Sequence, residues 1–283
     1  MRIYDRNGEY IEESEYLEGL LNFLYNTVLG RIILKNIVIK PWFSQWRGNY
    51  YNSKRSRKDI PSFVKKNNID ISEWDINEFQ TFNEFFRRKK NIKIDSQDNE
   101  LLSIADSKLG VFKIDEDLIL KVKKSVYSIE DIVGNKEIAD RYRNGLCLVF
   151  RLGVNDYHRY IFIDNGEMVE NYKIAGELHT VRSISEKYNV FSRNSREISI
   201  LRTEHIGDVA QIEVGALLVG AIKNNEKEQF VKGEEKGYFE YGGSTIVLLF
   251  EEGRISLDED IIEQSKLGIE TKVSIGEKIG VIC

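Results

Sequence analysis

Gly242-Gly243-Ser244-Thr245 leads directly into the apolar run Ile246-Val247-Leu248-Leu249-Phe250, and this stretch decides how the second half of the chain is interpreted. The apolar run, rich in β-branched and bulky side chains, predicts an internal strand of a sheet. The paired glycines predict a turn before that strand, because glycine adopts positive φ angles without steric cost. A serine hydroxyl then follows immediately after the Gly243 carbonyl.

A serine in this position can cut the backbone that carries it. If Ser244 Oγ attacks the Gly243 carbonyl, the amide becomes an ester, and β-elimination would give a dehydroalanine that hydrolyses to an amino-terminal pyruvoyl group. A Gly-Gly pair before a strand is more often an ordinary turn or bulge. Self-cleavage therefore needs support from the rest of the sequence.

Short apolar strands separated by Gly, Asn and Asp fill the chain beyond residue 100. The clearest strands are predicted at 146–152, 159–163, 198–202, 209–214 and 246–250, with short helices at 128–133 and 183–188. Before residue 95 the apolar residues recur with helical spacing. The sequence therefore predicts an α+β fold, with a helical amino-terminal region (1–95) followed by a mainly β domain (96–283).

The amino-terminal region combines an amphipathic pattern with aromatic and basic residues. From residue 14 to 39, apolar residues recur at steps of three and four, which predicts an amphipathic helix or helix pair. Polar residues interrupt the pattern, so no run reaches the roughly 18 apolar residues of a spanning helix. Trp42, Trp46 and the basic cluster at 54–58 suit an anionic lipid interface. By itself, the pattern is more typical of a helical cap on a protein core.

Composition narrows the possible functions. A chain of 283 residues with 41% hydrophobic content can bury a substantial core, whereas a net charge of -5 argues against a nucleic-acid partner. The first ten residues lack the apolar stretch of a secretory signal, so export is not expected. Cys147 lies in an apolar alternation, and neither Cys147 nor Cys283 has metal-ligand spacing. Because the three histidines are also dispersed, we predict no metal site.

Several further motifs precede the tetrapeptide in a set order. They are Asp156-Tyr157-His158-Arg159, Gly176-Glu177-Leu178-His179-Thr180-Val181, Asn189-Val190-Phe191-Ser192-Arg193-Asn194-Ser195-Arg196-Glu197 and Val214-Gly215-Ala216. Upstream, the segment from Thr81 to Lys89 and Asn144-Gly145 fit the same pattern. Taken together with Gly242 to Thr245, these motifs resemble the phosphatidylserine decarboxylase family over nearly the whole chain.

The resemblance implies an activity, a cofactor and partners. The activity would be conversion of phosphatidylserine to phosphatidylethanolamine and carbon dioxide, through a Schiff base with a pyruvoyl group derived from Ser244. Cleavage between Gly243 and Ser244 would give a large β chain and a small α chain that stay associated. The expected partners are phosphatidylserine and an anionic membrane surface. The expected location is the cytoplasmic side of the cell membrane, as a peripheral protein.

The resemblance also assigns site residues. The logic of a Ser-His-Asp triad requires a base near Ser244 and a carboxylate behind that base. The family's carboxylate falls on Asp106, and the first histidine of its motif, which is linked to decarboxylation, falls on His158. The family's second histidine, generally assigned to self-cleavage, is replaced by Ile161. His179 is a possible substitute base, whereas His205 is expected at the surface or in a loop without a role.

The isoleucine at position 161 leaves three interpretations open. In the first, His158 or His179 reaches Ser244 and acts as base. In the second, backbone strain, Asp106 and water cleave the bond slowly. In the third, the chain remains an uncleaved, catalytically silent lipid-binding relative. A pyruvoyl enzyme acting on a soluble amino acid is a weaker alternative, because the apolar amino-terminal region suits a bilayer surface.

Overall fold

Helices dominate the first third of the chain and strands the remainder, which confirms the predicted α+β class. The computed structural model describes residues 2–12, 18–92, 94, 97–122, 125–181, 183–217, 221–242 and 244–283. The predicted boundary between residues 95 and 96 lies outside these described residues. The division into regions 1–95 and 96–283 therefore stays a prediction.

The helices confirm the expected helix pair from residue 18 onward, whereas residues 13–17 lie outside the described part. The α-helices are α1 (Glu18–Asn26), α2 (Val28–Ile33), α3 (Pro41–Tyr51), α4 (Ile60–Asn67), α5 (Phe82–Phe86), α6 (Ile129–Val133), α7 (Lys136–Asp140), α8 (Val190–Arg193) and α9 (Glu259–Lys266). A π-helical turn, Leu34–Val38, continues α2, and 3-10 turns span Lys54–Asp59, Ile76–Glu78 and Ser183–Tyr188. The helical segments predicted at 128–133 and 183–188 are thus confirmed.

The strands include all five that were predicted, with small differences at their ends. They are β1 (Arg2–Tyr4), β2 (Tyr10–Glu12), β3 (Glu100–Leu102), β4 (Ser107–Lys113), β5 (Ile119–Val122), β6 (Ser125–Ser128), β7 (Leu146–Leu152), β8 (Arg159–Ile161), β9 (Gly166–Ile174), β10 (Arg196–Thr203), β11 (Asp208–Val214), β12 (Ile222–Asn224), β13 (Gln229–Phe230), β14 (Glu235–Phe239), β15 (Ser244–Phe250), β16 (Ile255–Leu257), β17 (Glu270–Val273) and β18 (Lys278–Ile282).

The apolar run after Ser244 forms the internal strand β15 of the largest sheet. The strand order of this sheet is β13-β9-β10-β11-β15-β7-β4-β17-β1-β2. Along β15, Ile246, Leu248 and Phe250 enter one hydrophobic core, whereas Val247 and Leu249 enter a second core on the opposite face. Burial on both faces explains why this strand is a continuous apolar run rather than an alternation.

The first of these cores is closed by two small sheets, β12-β14-β8 and β16-β18-β3. Strand β8 pairs with β14 and places Tyr160 and Ile161 in this core. Since Ser244 lies on the same face of β15 as Ile246, its side chain points towards the layer that carries β8. The loop before β8 is therefore well placed to supply groups to Ser244.

A third cluster of aromatic residues packs helices α3 to α5 against the segment that leads into Ser244. It includes Tyr51, Phe63, Phe82, Phe86 and Tyr241, all buried. The ring of Tyr51 lies 4.4 Å and that of Phe86 5.3 Å from the ring of Tyr241. The phenylalanine side chains of α5 therefore belong to the protein core.

Candidate active site

Ser244 begins β15, opposite Leu152 of β7, and its side chain is completely buried. Its Oγ has no hydrogen-bond partner among the described residues, and neither has Oγ1 of Thr245. Such unpaired buried hydroxyls are uncommon in folded proteins and call for an explanation. Gly242 has φ 141°, a conformation that side-chain-bearing residues rarely adopt. Gly243, which carries the predicted cleavage carbonyl, lies outside the described residues.

His158 lies between β7 and β8 with its two ring nitrogens in different surroundings. Nδ1 is 2.9 Å from the backbone oxygen of Asp156. Because a carbonyl can only accept, the proton resides on Nδ1 and the lone pair on Nε2. Nε2 is buried and has no partner among the described residues. The ring therefore leaves one buried nitrogen without a hydrogen bond to the described part of the chain.

The surroundings of His158 keep the imidazole neutral and beside the Ser244 segment. Burial lowers the pKa of His158 to about 3, against the opposing effect of the Asp156 carbonyl. The Gly242 backbone also interacts with the imidazole, which places the ring next to the turn before Ser244. The ring of Phe86 packs on it at 4.1 Å between centroids. His158 Nε2 and Ser244 Oγ are thus two buried polar atoms on either side of the Gly242 turn, and in this arrangement they do not hydrogen-bond to each other.

A buried ion pair holds the loop that orients His158. Asp156 Oδ2 accepts hydrogen bonds from Lys108 Nζ and from the Gly153 N–H, each at 2.6 Å. Burial raises the pKa of the Asp156 carboxyl, whereas Lys108 opposes this effect. The pair fixes the Asp156 carbonyl that binds His158 Nδ1. Lys108 was not predicted from the sequence. The one available signal was its position at the start of an apolar strand.

Asp106 lies near the site without bonding a histidine. Its Oδ1 accepts a hydrogen bond from the Ile275 N–H at 2.7 Å, and no histidine of the described residues bonds to it. The Ile161 N–H donates to the Ile104 carbonyl at 3.0 Å. Position 161 therefore lies beside the segment that carries Asp106, and an isoleucine there cannot join the carboxylate to a serine. The triad role of Asp106 stays a prediction.

His179 lies in a separate buried cluster that links α1 to the loop at 176–181. Its Nδ1 is 3.1 Å from the Tyr25 hydroxyl, and its Nε2 is 3.3 Å from Glu177 Oε2. Burial lowers the pKa of His179, opposed by the Glu177 charge. With both nitrogens engaged, this histidine has no free acceptor to offer Ser244 in this arrangement. His205 lies in an exposed loop and pairs with Asp164 at 2.9 Å, as its sequence position indicated.

A second buried ion pair lies on the same face of the sheet as Ser244. Glu213 of β11 and Lys236 of β14 are both fully buried, and Oε1 and Nζ are 2.8 Å apart. The Asn224 amide donates to Glu213 Oε2 at 2.9 Å, and Tyr160 donates to Asn224 Oδ1 at 2.8 Å. Burial raises the pKa of Glu213, and Lys236 opposes the rise. This network ties β8 and β14 to the sheet next to β15.

Helices α1 to α3 expose several large apolar side chains. The exposed apolar residues here are Leu20, Phe23, Val28, Leu29, Ile32, Trp42 and Trp46. Val28 and Leu29 expose 69% and 60% of their surface. Within the described ranges, each helix is too short or too polar to cross a bilayer.

Comparison with known proteins finds matches to a single family among those described below. The family model described as phosphatidylserine decarboxylase matches residues 79–281. A Clostridium acetobutylicum protein named phosphatidylserine decarboxylase proenzyme 2 is 49% identical, covering 98% of this chain and 97% of that protein. Proteins named phosphatidylserine decarboxylase proenzyme from Clostridium tetani and Clostridium beijerinckii are 43% and 40% identical, each covering 99% of this chain and 98% of their own length.

Proposed function

Because the chain belongs to the phosphatidylserine decarboxylase family, we propose that Ser244 and His158 form the centre at which it decarboxylates phosphatidylserine. The enzyme is a lyase that releases carbon dioxide from the serine headgroup and leaves phosphatidylethanolamine. Its relatives are named proenzymes, which supports cleavage into two chains. The observation that carries the site assignment is the pair of unpaired buried atoms, Ser244 Oγ and His158 Nε2.

Maturation would begin at the Gly243–Ser244 peptide bond. His158 Nε2 accepts the proton of Ser244 Oγ, the oxygen bonds to the Gly243 carbonyl carbon, and the C–N bond breaks to give an ester and a free amine. Loss of the Ser244 α-proton then expels the Gly243 carboxylate. Water replaces the resulting enamine nitrogen, ammonia leaves, and residue 244 ends as a ketone.

His158 is a weak base for this step, and its weakness has a structural cause. Its imidazole is oriented by the Asp156 carbonyl rather than by a carboxylate, so the developing imidazolium is stabilised less than in a full triad. Its pKa of about 3 also lies far below the value that favours fast proton transfer. Maturation tolerates this weakness because the reaction has to occur only once in each molecule.

The residues around position 244 fit a small ketone group. Conversion would remove an unpaired buried hydroxyl from the core, and His158 Nε2, once protonated, would be able to donate to a new carbonyl at this position. When formed, the pyruvoyl group supplies an electron sink for the pair released with carbon dioxide. His158 can hold a proton at Nε2 and return it to the reacting carbon. The buried surroundings exclude water, which favours loss of the carboxylate charge.

We further propose that the exposed apolar residues of α1 to α3 rest on the cytoplasmic face of the cell membrane. The apolar residues would enter the interface, and Trp42 and Trp46 would lie at headgroup depth. Lys54, Arg55 and Lys58 follow close behind in the sequence and suit anionic headgroups. Vesicle sedimentation tests this contact. Leu29→Ser with Trp46→Ser should weaken binding to phosphatidylserine vesicles, whereas Val126→Ser, at an exposed apolar residue elsewhere, should not.

Decarboxylation itself is tested by measuring carbon dioxide from phosphatidylserine and from free serine. Release from the phospholipid, abolished by Ser244→Ala, is the expected result. Release from free serine alone would indicate a soluble substrate instead. No release, together with an intact chain on a denaturing gel, would favour the silent lipid-binding relative that Ile161 suggests.

A further inference from the structure

Arg88 is a buried cation near His158 that has no role in the steps above. It lies two residues after Phe86, whose ring packs on His158, and only 6% of its surface is exposed. Its Nε has no partner, and one terminal nitrogen reaches the Phe85 carbonyl at 3.4 Å, a long hydrogen bond. Among the described residues, no carboxylate forms an ion pair with Arg88. Its hydrogen-bonding capacity is therefore largely unused.

Other buried cations around the site are neutralised by carboxylates. The pairs are Lys108–Asp156 at 2.6 Å, Arg151–Glu270 at 2.7 Å and Arg159–Glu235 at 2.8 Å. A guanidinium stays charged even when buried, and a buried charge without a counter-ion is costly. The ring faces of Trp74 and Phe85, each 4.9 Å away, offset part of this cost. Arg88 is thus a buried cation with hydrogen-bond donors available to bind an anion.

Arg88 lies close enough to the proposed reacting groups to act on them electrostatically. Burial is the main cause of the low pKa of His158, and the charge of Arg88 lowers it further. Asp106 acts on Arg88 in turn, without reaching it as an ion pair. The guanidinium therefore lies within electrostatic range of both His158 and Asp106.

We propose that Arg88 binds the phosphodiester of the phospholipid headgroup and so positions the serine moiety beside Ser244 and His158. This inference rests on the proposed function. The planar guanidinium can donate two parallel hydrogen bonds to a phosphate. The substrate carboxylate is the less suitable anion, because its charge is lost as carbon dioxide leaves and a paired cation would stabilise the ground state. The phosphate keeps its charge throughout, so binding it does not oppose the reaction.

Calorimetric titration with dihexanoyl-phosphatidylethanolamine tests the contact, because this soluble lipid has the phosphate but lacks the carboxylate. Arg88→Gln should weaken its binding by roughly ten- to a hundredfold, the value of a charge-assisted hydrogen bond. Arg88→Lys keeps the charge without the planar fork and should bind several-fold more weakly than wild type. Arg87→Gln is the matched control, since Arg87 is half-buried and its guanidinium donates only a long hydrogen bond, 3.5 Å, to the Tyr238 hydroxyl.

Three results would overturn the proposal. They are wild-type protein that does not bind the lipid, Arg88 variants that bind as wild type does, and a loss shared equally by Arg87→Gln. If Arg88→Gln does not fold, Arg88→Lys gives the answer. Unchanged phosphatidylethanolamine binding with a raised KM for dihexanoyl-phosphatidylserine would assign Arg88 to the carboxylate instead. Failure of the proposed function is distinct: carbon dioxide would be absent while lipid binding still depended on Arg88.

Discussion

Replacing His158 by asparagine should reduce the loss of folding free energy that the protein suffers between pH 7 and pH 5. In the folded protein burial holds the pKa of His158 at about 3, against an ordinary value of 6.5. Below pH 6.5 the unfolded chain takes up a proton at this residue and the folded protein does not, so folding weakens as pH falls towards 3. Asparagine does not titrate, and its amide can still donate to the Asp156 carbonyl in place of Nδ1.

The expected magnitude follows from the difference between the two pKa values. Each pH unit below 6.5 costs about 1.4 kcal/mol, so the loss from His158 between pH 7 and pH 5 is about 2 kcal/mol. Arg88, Lys108 and Asp156, the charged groups that act on His158, are present in both variants. The carboxylates and the other histidines are also shared. The difference between the variants therefore isolates His158.

Urea unfolding at pH 7 and pH 5 provides the assay. Both variants carry Ser244→Ala, so that each remains a single chain whose unfolding can be followed as one transition. The protein with His158 should lose about 2 kcal/mol more than the His158→Asn variant on acidification. An equal loss in both would show that His158 titrates normally and is not the buried neutral base described above.

Two further predictions concern the surroundings of the site. Lys236→Met leaves the Glu213 carboxylate buried without its cation and should lower the free energy of unfolding by about 3 to 5 kcal/mol in urea titrations. Glu213→Gln combined with Lys236→Met should lose clearly less, and an equal loss would contradict the ion-pair explanation. Gly242→Ala places a side chain at φ 141° and should cost roughly 1 to 3 kcal/mol while slowing chain cleavage on denaturing gels. Gly253→Ala, at a positive-φ surface turn, is the matched control: it introduces backbone strain but should leave chain cleavage unchanged.

The strands of the main sheet were predictable because their apolar runs reflect burial on both faces. The run at 146–152 coincides with β7, and the run at 246–250 lies within β15. Strand β8 ends at Ile161, two residues earlier than predicted, because the Phe162 carbonyl accepts a hydrogen bond from the Gly233 N–H, one residue out of register with the ladder. Local composition does not reveal where such a ladder ends.

Other strands could not be predicted because their pairing is non-local. Strands β1 and β2 are short and partly exposed, and β1 is held by parallel pairing with β17 near the other end of the chain. Strand β9 is rich in exposed polar residues, so its sequence resembles a loop. The contribution of the amino terminus to the main sheet therefore emerged only from the structure.

At the proposed site, the motifs predict Ser244 and His158, whereas the groups around them required the fold. Lys108 and Asp156 are 48 positions apart, and the sequence contains nothing that pairs them. Glu213 and Lys236 are likewise brought together by packing β14 over β11. The charge of a residue is visible in the sequence, but its partner is set by tertiary packing.

The most direct measurement is intact-mass analysis of the purified wild-type protein under denaturing conditions. The account predicts two chains, with the small chain beginning at residue 244 and lighter by one ammonia than a chain with an amino-terminal serine. Borohydride should add two hydrogens to that terminus. A single intact chain, or a small chain that retains an unmodified Ser244 amine, would contradict it.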